Sequence, residues 1–474
     1  MKRPKITENP SQGQVKDSAN VWKNKAVCRA VENAALRKRI KVLTDSREGY
    51  KTKCKVLAER LVQKKNCTTE EVFLGAKASG HQYSLAVVCL ILELHKYGAM
   101  SLRGCRHAVG CMLVALGLSA RLPSHSTIRN WLCKGGLHRL ETGMGAEGEY
   151  VVYVDESIVF GSEKILLVLG VPVVKIPTTR SLTHSDMEVL YVGANTEWKA
   201  QHIEVELEKI GKKKPIVYVV SDEGNNLRKA YKSLKYTHIA DCTHVLANYL
   251  KRLYDSDADF ASFRELIGHL RKQWNLSRDN RRYMPPTMRG KMRFANIFPC
   301  VRWAQLRLAA WSEMSESVRE SLAFLKEKEA LIRRLAYVST VFKTVCATLK
   351  NEGFGSAQHA DILAQLATIS VLTAEDTDGK VATFVGNCKT YLAQLSVQSA
   401  HLACPHLLVS SDIIESFFGK FKTKINANNS SGLTAFLFTI ANFSQSFSVE
   451  ETKNALESVQ LKDLKLVKNR EKPT

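Results

Sequence analysis

Glu149-Tyr150-Val151-Val152-Tyr153-Val154-Asp155-Glu156-Ser157 is where the chain changes period. Upstream, apolar residues recur at helical spacing. Here aliphatic, β-branched and aromatic residues run unbroken, which is strand composition. A strand is expected over residues 150–154, closed by Asp155. Two more are expected over 164–170 and 187–192. Pro215-Ile216-Val217-Tyr218-Val219-Val220 reads as a fourth, with the continuous apolar run of a strand buried on both faces. It too leads into a carboxylate, in Ser221-Asp222-Glu223-Gly224. Helical patterns over 198–210, 225–234 and 243–254 flank a short strand over 237–240. The order β-β-β-α-β-α-β-α predicts a mixed α/β sheet begun by an antiparallel meander.

Downstream, residues 259–405 carry almost no strand signal. Amphipathic helices are expected over 260–274, 303–311, 318–349 and 359–372, and a last one over 413–424. Upstream, apolar helical stretches cover 83–97 and 102–118. The segment Pro123-Ser124-His125-Ser126-Thr127-Ile128-Arg129-Asn130-Trp131-Leu132 then reads as a short capped helix. Its buried face is Ile128, Trp131 and Leu132, leaving Thr127, Arg129, Asn130 and Lys134 for solvent or DNA. That suits the second helix of a helix-turn-helix, although a small helical domain that binds nothing has the same pattern.

These readings divide the chain into a basic arm at 1–75 and a helical DNA-binding domain at 76–147. The first part of an α/β core follows at 148–258, an all-α insertion at 259–405, the last core helices at 406–450 and a charged, peripheral tail at 451–474.

Charge narrows the function. The 474 residues include 69 Lys and Arg against 46 Asp and Glu, a net +23, so a polyanionic partner is expected. Residues 1–70 alone hold 18 Lys and Arg against 7 Asp and Glu. Their densest cluster, Arg37-Lys38-Arg39-Ile40-Lys41, is either a solvated helix face or an arm that tracks phosphates. No apolar run reaches the roughly 18–20 residues of a membrane span. The polar start, Met1-Lys2-Arg3-Pro4, is not expected to be a secretory signal. The 12 cysteines show no CxxC, so reduced and mostly buried thiols are expected rather than a zinc site or disulfide scaffold.

Asp155 and Asp222 each end a strand of this topology, where open α/β sheets present ligands. Adjacent carboxylates repel, and a divalent cation is the usual reason to tolerate that cost. A third acid stands in Ser411-Asp412-Ile413-Ile414-Glu415-Ser416-Phe417-Phe418-Gly419-Lys420-Phe421-Lys422. Glu415 borders the apolar stripe of this helix, and Lys422 lies about two turns further along the same side. Glu156, Asp186 and Glu223 are competing carboxylates. Strand alternation turns Glu156 away from Asp155.

In this order and on these elements, Asp155, Asp222 and Glu415 resemble the DDE triad of cut-and-paste DNA transposases with a ribonuclease H-like core. The helical stretch between Asp222 and Glu415 resembles the all-α insertion of hAT-type and related transposases. Asp241-Cys242-Thr243-His244 is similar to their [C/D]-x-x-H motif, and Glu415 with Lys422 to the E-x6-K of bacterial insertion-sequence transposases. Where that bacterial signature has Tyr and Arg, this chain has Leu408 and Ser411, so the resemblance is to the superfamily rather than to that group. It covers residues 148–258 and 406–450.

The resemblance implies a DNA transposase that cleaves and transfers strands with two Mg²⁺ ions, Mn²⁺ substituting, about 3.5–4 Å apart. Asp155 would bridge the ions, Asp222 and Glu415 would flank them, and no covalent protein intermediate is needed. Lys422, with Lys420, would hold DNA phosphate. Asp241 and His244 would orient groups behind the metal ligands or touch DNA; a helix cap with an incidental His is the alternative. Trp303 would stack on a flipped base, unless it is a core residue. The implied partners are double-stranded DNA with terminal inverted repeats, target DNA, and further copies of the chain in a homodimer or larger oligomer, with no membrane. The compartment would be the nucleoid-associated cytoplasm of a bacterium or the nucleus of a eukaryote. The other readings are a ribonuclease H-like structure-specific nuclease and a domesticated, transposase-derived DNA-binding protein.

Overall fold

The structure is a computed structural model. It describes residues 44, 75–98, 100–118, 121–143, 147–160, 163–178, 180–275, 280–288, 296–370, 376, 378–425 and 434–464. The chain divides into two compact units, Met1–Gly75 and Ala76–Thr474. The basic arm and its Arg37–Lys41 cluster lie outside the described residues, apart from Thr44 and Gly75. So does Arg278-Asp279 of the insertion.

The second unit opens with three helices, α1 (Leu85–Tyr97), α2 (Leu102–Ala115) and α3 (His125–Thr142). The α/β segment follows: β1 (Tyr150–Phe160), β2 (Glu163–Pro172), β3 (Glu188–Asn195), α4 (Ala200–Lys213), β4 (Ile216–Ser221), α5 (Asn225–Leu234), β5 (Thr237–Ala240) and α6 (Cys242–Tyr254). The five strands form one mixed sheet in the order β3-β2-β1-β4-β5. β2 runs antiparallel to both its neighbours, whereas β1, β4 and β5 are parallel. The expected meander and crossovers are therefore present.

Alternation along β1 sends side chains to two cores. Tyr150, Val152 and Val154 join Ile203 and Leu207 of α4 and Leu227, Ala230 and Tyr231 of α5. Val151 and Tyr153 face the other way, into a larger core shared with α6 and the helices that follow.

Those helices are α7 (Ala258–Trp274), α8 (Ile297–Ala309), α9 (Glu316–Ser321), α10 (Phe324–Glu327), α11 (Glu329–Glu352), α12 (Ser356–Ser370) and α13 (Lys380–His401). The single helix expected over 318–349 is thus three pieces. No helix is expected from the sequence over 380–401, yet α13 runs there with Val381, Phe384, Val385, Cys388, Leu392 and Leu395 buried at helical spacing. The chain returns to the sheet with α14 (Asp412–Lys424), packed against β1.

A 3-10 segment, Ala435–Phe443, and helix α15 (Val449–Ser458) end the described fold. The start of the expected peripheral tail, residues 451–464, is part of this fold. Thr452, Ala455, Leu456, Val459 and Leu464 are buried, and α15 packs on α1 and α3.

The same packing corrects the reading of α3. It is 18 residues long rather than short, with Arg129 exposed near its start but burial nearly continuous from Trp131 to Arg139. Lys134, expected to face solvent or DNA, is buried and donates to the Leu456 carbonyl at 2.8 Å. Arg139 donates to the Gln445 and Ser446 carbonyls and pairs with Glu451. Its guanidinium lies 3.8 Å from the centre of the Phe447 ring.

No helix among the described residues is long and apolar enough to cross a membrane. The described cysteines are free thiols, most of them buried.

Candidate active site

The register of the two parallel strands places the first two acids. Tyr153 of β1 stands opposite Val220 of β4, the last matched pair between these strands. Asp155 and Asp222 are each two residues further on. They leave the sheet at the same level, on the face that carries Tyr153 and Val220. Asp155 does not close β1, as the sequence suggested. β1 continues to Phe160 along β2, matching Asp155 with Leu167 and Ser157 with Ile165. What ends near Asp155 is the pairing with β4, whose last matched pair is Tyr153 with Val220. Its Oδ1 accepts the Glu156 backbone N–H at 2.7 Å, and Asp222 Oδ1 accepts that of Gly224 at 3.0 Å.

Glu415 arrives from 193 residues later in the chain because the stretch before α14 is fastened to the sheet end. The Leu408 N–H donates to the Tyr218 hydroxyl at 2.8 Å, and the Cys242 N–H to the Val409 carbonyl at 2.9 Å. Asp241, 1% exposed, ties two helix starts together. Its Oδ1 accepts the His244 N–H at 2.8 Å as the N-cap of α6. Its Oδ2 accepts the Ser411 N–H at 2.7 Å and the Ser411 hydroxyl at 3.0 Å, at the N-cap of α14. Burial would raise the Asp241 carboxyl, but the His244 imidazole, with these bonds, holds it below the usual carboxylate range. Lys350 of α11 pairs with Asp412 at 2.7 Å, adding the insertion to the same joint.

The three acids stand in one another's electric field. Burial, then the charges of Asp222 and Glu415, push the Asp155 carboxyl up to about 7. Glu415 is exposed by area, yet neighbouring atoms desolvate it enough to raise its carboxyl. Its carboxylate makes no hydrogen bond or ion pair among the described residues.

His244 supplies the opposing charge. Its Nδ1 lies 2.9 Å from Asp241 Oδ1. That bond, with the charges of Asp241, Asp222 and Glu415, raises the imidazole to about 9. An imidazolium therefore faces the acids at neutral pH. Among the described residues, no three His, Cys, Asp or Glu side chains form a group that could hold a metal ion. The donors are the hard carboxylate oxygens that Mg²⁺ prefers, but the three would have to draw together before they shared an ion.

The competing carboxylates are engaged elsewhere. Glu156 is 3.8 Å from Lys164, and Glu223 accepts from Asn248 at 3.0 Å. Asp186 is bound by Arg180 and Thr183, which hold its carboxyl down to about 2.

Other expected site residues fall in different places. Lys422 donates to the Ser157 hydroxyl at 2.7 Å, on β1 just beyond Asp155. Lys420 points away from it, between the rings of Tyr97 and Phe443 at 5.3 and 5.2 Å. Trp303 is a core residue: 8% exposed, its indole N–H donates to the Tyr283 carbonyl at 2.9 Å, so it presents no free face to a flipped base. On α3, Thr127 is half-buried beside its cap Ser124, Asn130 is half-buried, and Arg129 donates to the Thr434 hydroxyl at 2.9 Å.

Sequence reasoning found Asp241 and His244 but missed the Asp241–Ser411 tie, which has no spacing signal across 170 residues. It also missed His184, whose ring lies 4.5 Å from Phe417 and whose Nε2 meets the Ser416 hydroxyl at 3.3 Å, next to Glu415. Compared with known proteins, the chain matches no family model and finds no curated relative.

Proposed function

We propose that the chain is a DNA transposase of the DDE type, cutting and joining phosphodiesters with Asp155, Asp222 and Glu415. One observation carries the reading: two carboxylates leave adjacent parallel strands at one level, and a third comes from a helix packed on the same strand. The strand order β3-β2-β1-β4-β5, with β2 alone reversed against its neighbours, supports a ribonuclease H-like core. The long helical insertion before α14 and the net charge of +23 fit action on DNA.

The three carboxylates would hold Mg²⁺ or Mn²⁺, which would activate the attacking oxygen and stabilise the leaving one. The protein's own part is positioning. Asp241 fixes where α14 begins and so where Glu415 stands. The His244 imidazolium offsets the repulsion among the acids and offers a positive charge to a nearby phosphate. Lys422, beside Ser157, is a second cation at the edge of the site.

The test is cleavage of plasmid and oligonucleotide DNA with Mg²⁺ or Mn²⁺, alongside a gel shift. Asp155→Asn is expected to lose at least 100-fold in cleavage rate while still binding DNA. Unchanged cleavage by the variant would sink the proposal. DNA binding by a wild-type chain that never cleaves would favour the domesticated DNA-binding protein instead. Short inverted repeats flanking the gene would separate a transposase from a nuclease of the same fold.

A further inference from the structure

Helix α5 begins three residues after Asp222 and carries Arg228, Lys229 and Lys232 on one exposed side. With Asn225, Tyr236 and His238 they line an open groove of about 510 Å³ between α5 and the edge strand β5. None of the three cations forms an ion pair among the described residues. This contrasts with α4 on the same face of the sheet, where Lys209 pairs with Glu206 and Lys212 with Glu208. The groove floor is aromatic: the rings of Tyr231 and His238 lie 5.2 Å apart. His238 is held in place, its Nε2 3.0 Å from the Ser221 hydroxyl at the end of β4. The groove runs along α5 on the α4/α5 face of the sheet, and Asn225 at its start is three residues after Asp222 in the chain.

We propose that this groove binds the phosphate backbone of a DNA strand running to the reactive phosphodiester, an inference that rests on the function proposed above. Arg228 to Lys232 spans about 6 Å of helix axis, close to two nucleotide steps at roughly 3.4 Å each along one strand. Unpaired cations are what counterion release requires, since a lysine already neutralised by a glutamate gains little from a phosphate. Tyr236 and His238 add aromatic surface for sequence-tolerant contact with bases or sugars. The strand's proposed path would pass Asn225, three residues after Asp222 in the chain, to reach the acids.

The experiment uses the full chain and fluorescein-labelled single-stranded and duplex DNA in anisotropy titrations from 50 to 300 mM salt. The variant is Arg228→Ala with Lys229→Ala and Lys232→Ala. The control, Lys389→Ala with Lys453→Ala and Lys462→Ala, removes the same charge from exposed positions on α13, α15 and the residues just after it. A thermal melt verifies that both remain folded. The groove variant is expected to bind at least tenfold more weakly at low salt, with a log–log salt slope shallower by about 2–3, and the control to keep wild-type affinity within about twofold. Equal losses in the two variants, or none in the groove variant, would overturn the groove as a strand site. Displacement of labelled DNA from wild type, but not from the groove variant, by ATP or inorganic phosphate at micromolar concentration would show a small-anion site and overturn it too. Wild type that cleaves DNA while the groove variant binds normally removes this inference alone. Wild type that neither binds nor cleaves removes the function proposed above with it.

Discussion

Asp155 carries a cost that stability measurements can read. Its carboxyl titrates near 7 in the fold, pushed up by burial and by Asp222 and Glu415, against about 3.9 in an unfolded chain. The folded state thus holds this proton more tightly than the unfolded state does. The resulting stabilisation is fully present below about pH 4 and is lost as pH rises through 7. In the metal-free protein this loss is expected to be on the order of 2–4 kcal/mol. Asp155→Asn keeps the shape and abolishes the charge. Urea denaturation in EDTA should find the variant more stable than wild type at pH 8, with the gap closing towards pH 5. A variant less stable at pH 8 would show that the repulsion is already relieved by contacts such as the His244 imidazolium. Lys96 is a second strained group. It is 3% exposed, and burial lowers its pKa, with its ammonium 4.8 Å from the centre of the Tyr97 ring.

At the scale of elements, unbroken apolar runs made the strands legible, and Asp222 was legible as a strand end, whereas Asp155 lies inside β1, which pairing with β2 carries on to Phe160. Helix α3 was not read to its full length, for a physical reason. Gly135-Gly136 lies in its interior, where glycine normally weakens a helix, so the sequence suggests an early stop. The structure shows what the pair is for. A Cβ on Gly136 would lie 2.0 Å from the Phe438 carbonyl oxygen, and one on Gly135 3.0 Å from the Phe447 ring. The helix gives up side chains so that the segment Ala435–Phe443 can lie directly on its backbone. Asn442 then donates to the Leu132 carbonyl at 2.8 Å. No local pattern reveals a partner some 300 residues away. The expected result of Gly136→Ala is a loss of about 2–4 kcal/mol, since backbone rather than a flexible side chain has to move. Gly386→Ala, with open space at its Cβ on α13, should instead be neutral or stabilising by up to about 1 kcal/mol. Comparing the two melts separates close approach from helix propensity. If both substitutions behave alike, the packing account of Gly136 fails.

For the whole molecule, the proposed function raises the question of how charge would divide between finding DNA and acting on it. Residues 1–75 hold 18 Lys and Arg against 8 Asp and Glu, so Ala76–Thr474 retains +13 of the +23. Ala76–Thr474 is also one compact unit and contains every residue of the candidate active site. Helix α3, expected from the sequence to read bases, is half buried: Lys134 and Arg139 are engaged by the C-terminal segment, whereas Arg129 is exposed near its start, so other cations would have to supply most of the non-specific attraction to phosphates. The groove along α5 offers some of them and residues 1–75 a larger surplus. A chain of residues 76–474 should therefore fold cooperatively and keep metal-dependent cleavage at saturating DNA. Its DNA affinity at 50 mM salt should fall by at least tenfold, with a shallower salt slope, because fewer counterions are released on binding. The loss should be similar on unrelated sequences, since phosphate contacts position a protein without reading bases. The measurement is anisotropy against salt on two unrelated duplexes, paired with single-turnover cleavage. Should truncation abolish cleavage at saturating DNA while the melt stays intact, residues 1–75 take part in chemistry or assembly rather than only in capture. A loss confined to one duplex would instead make them the source of sequence preference.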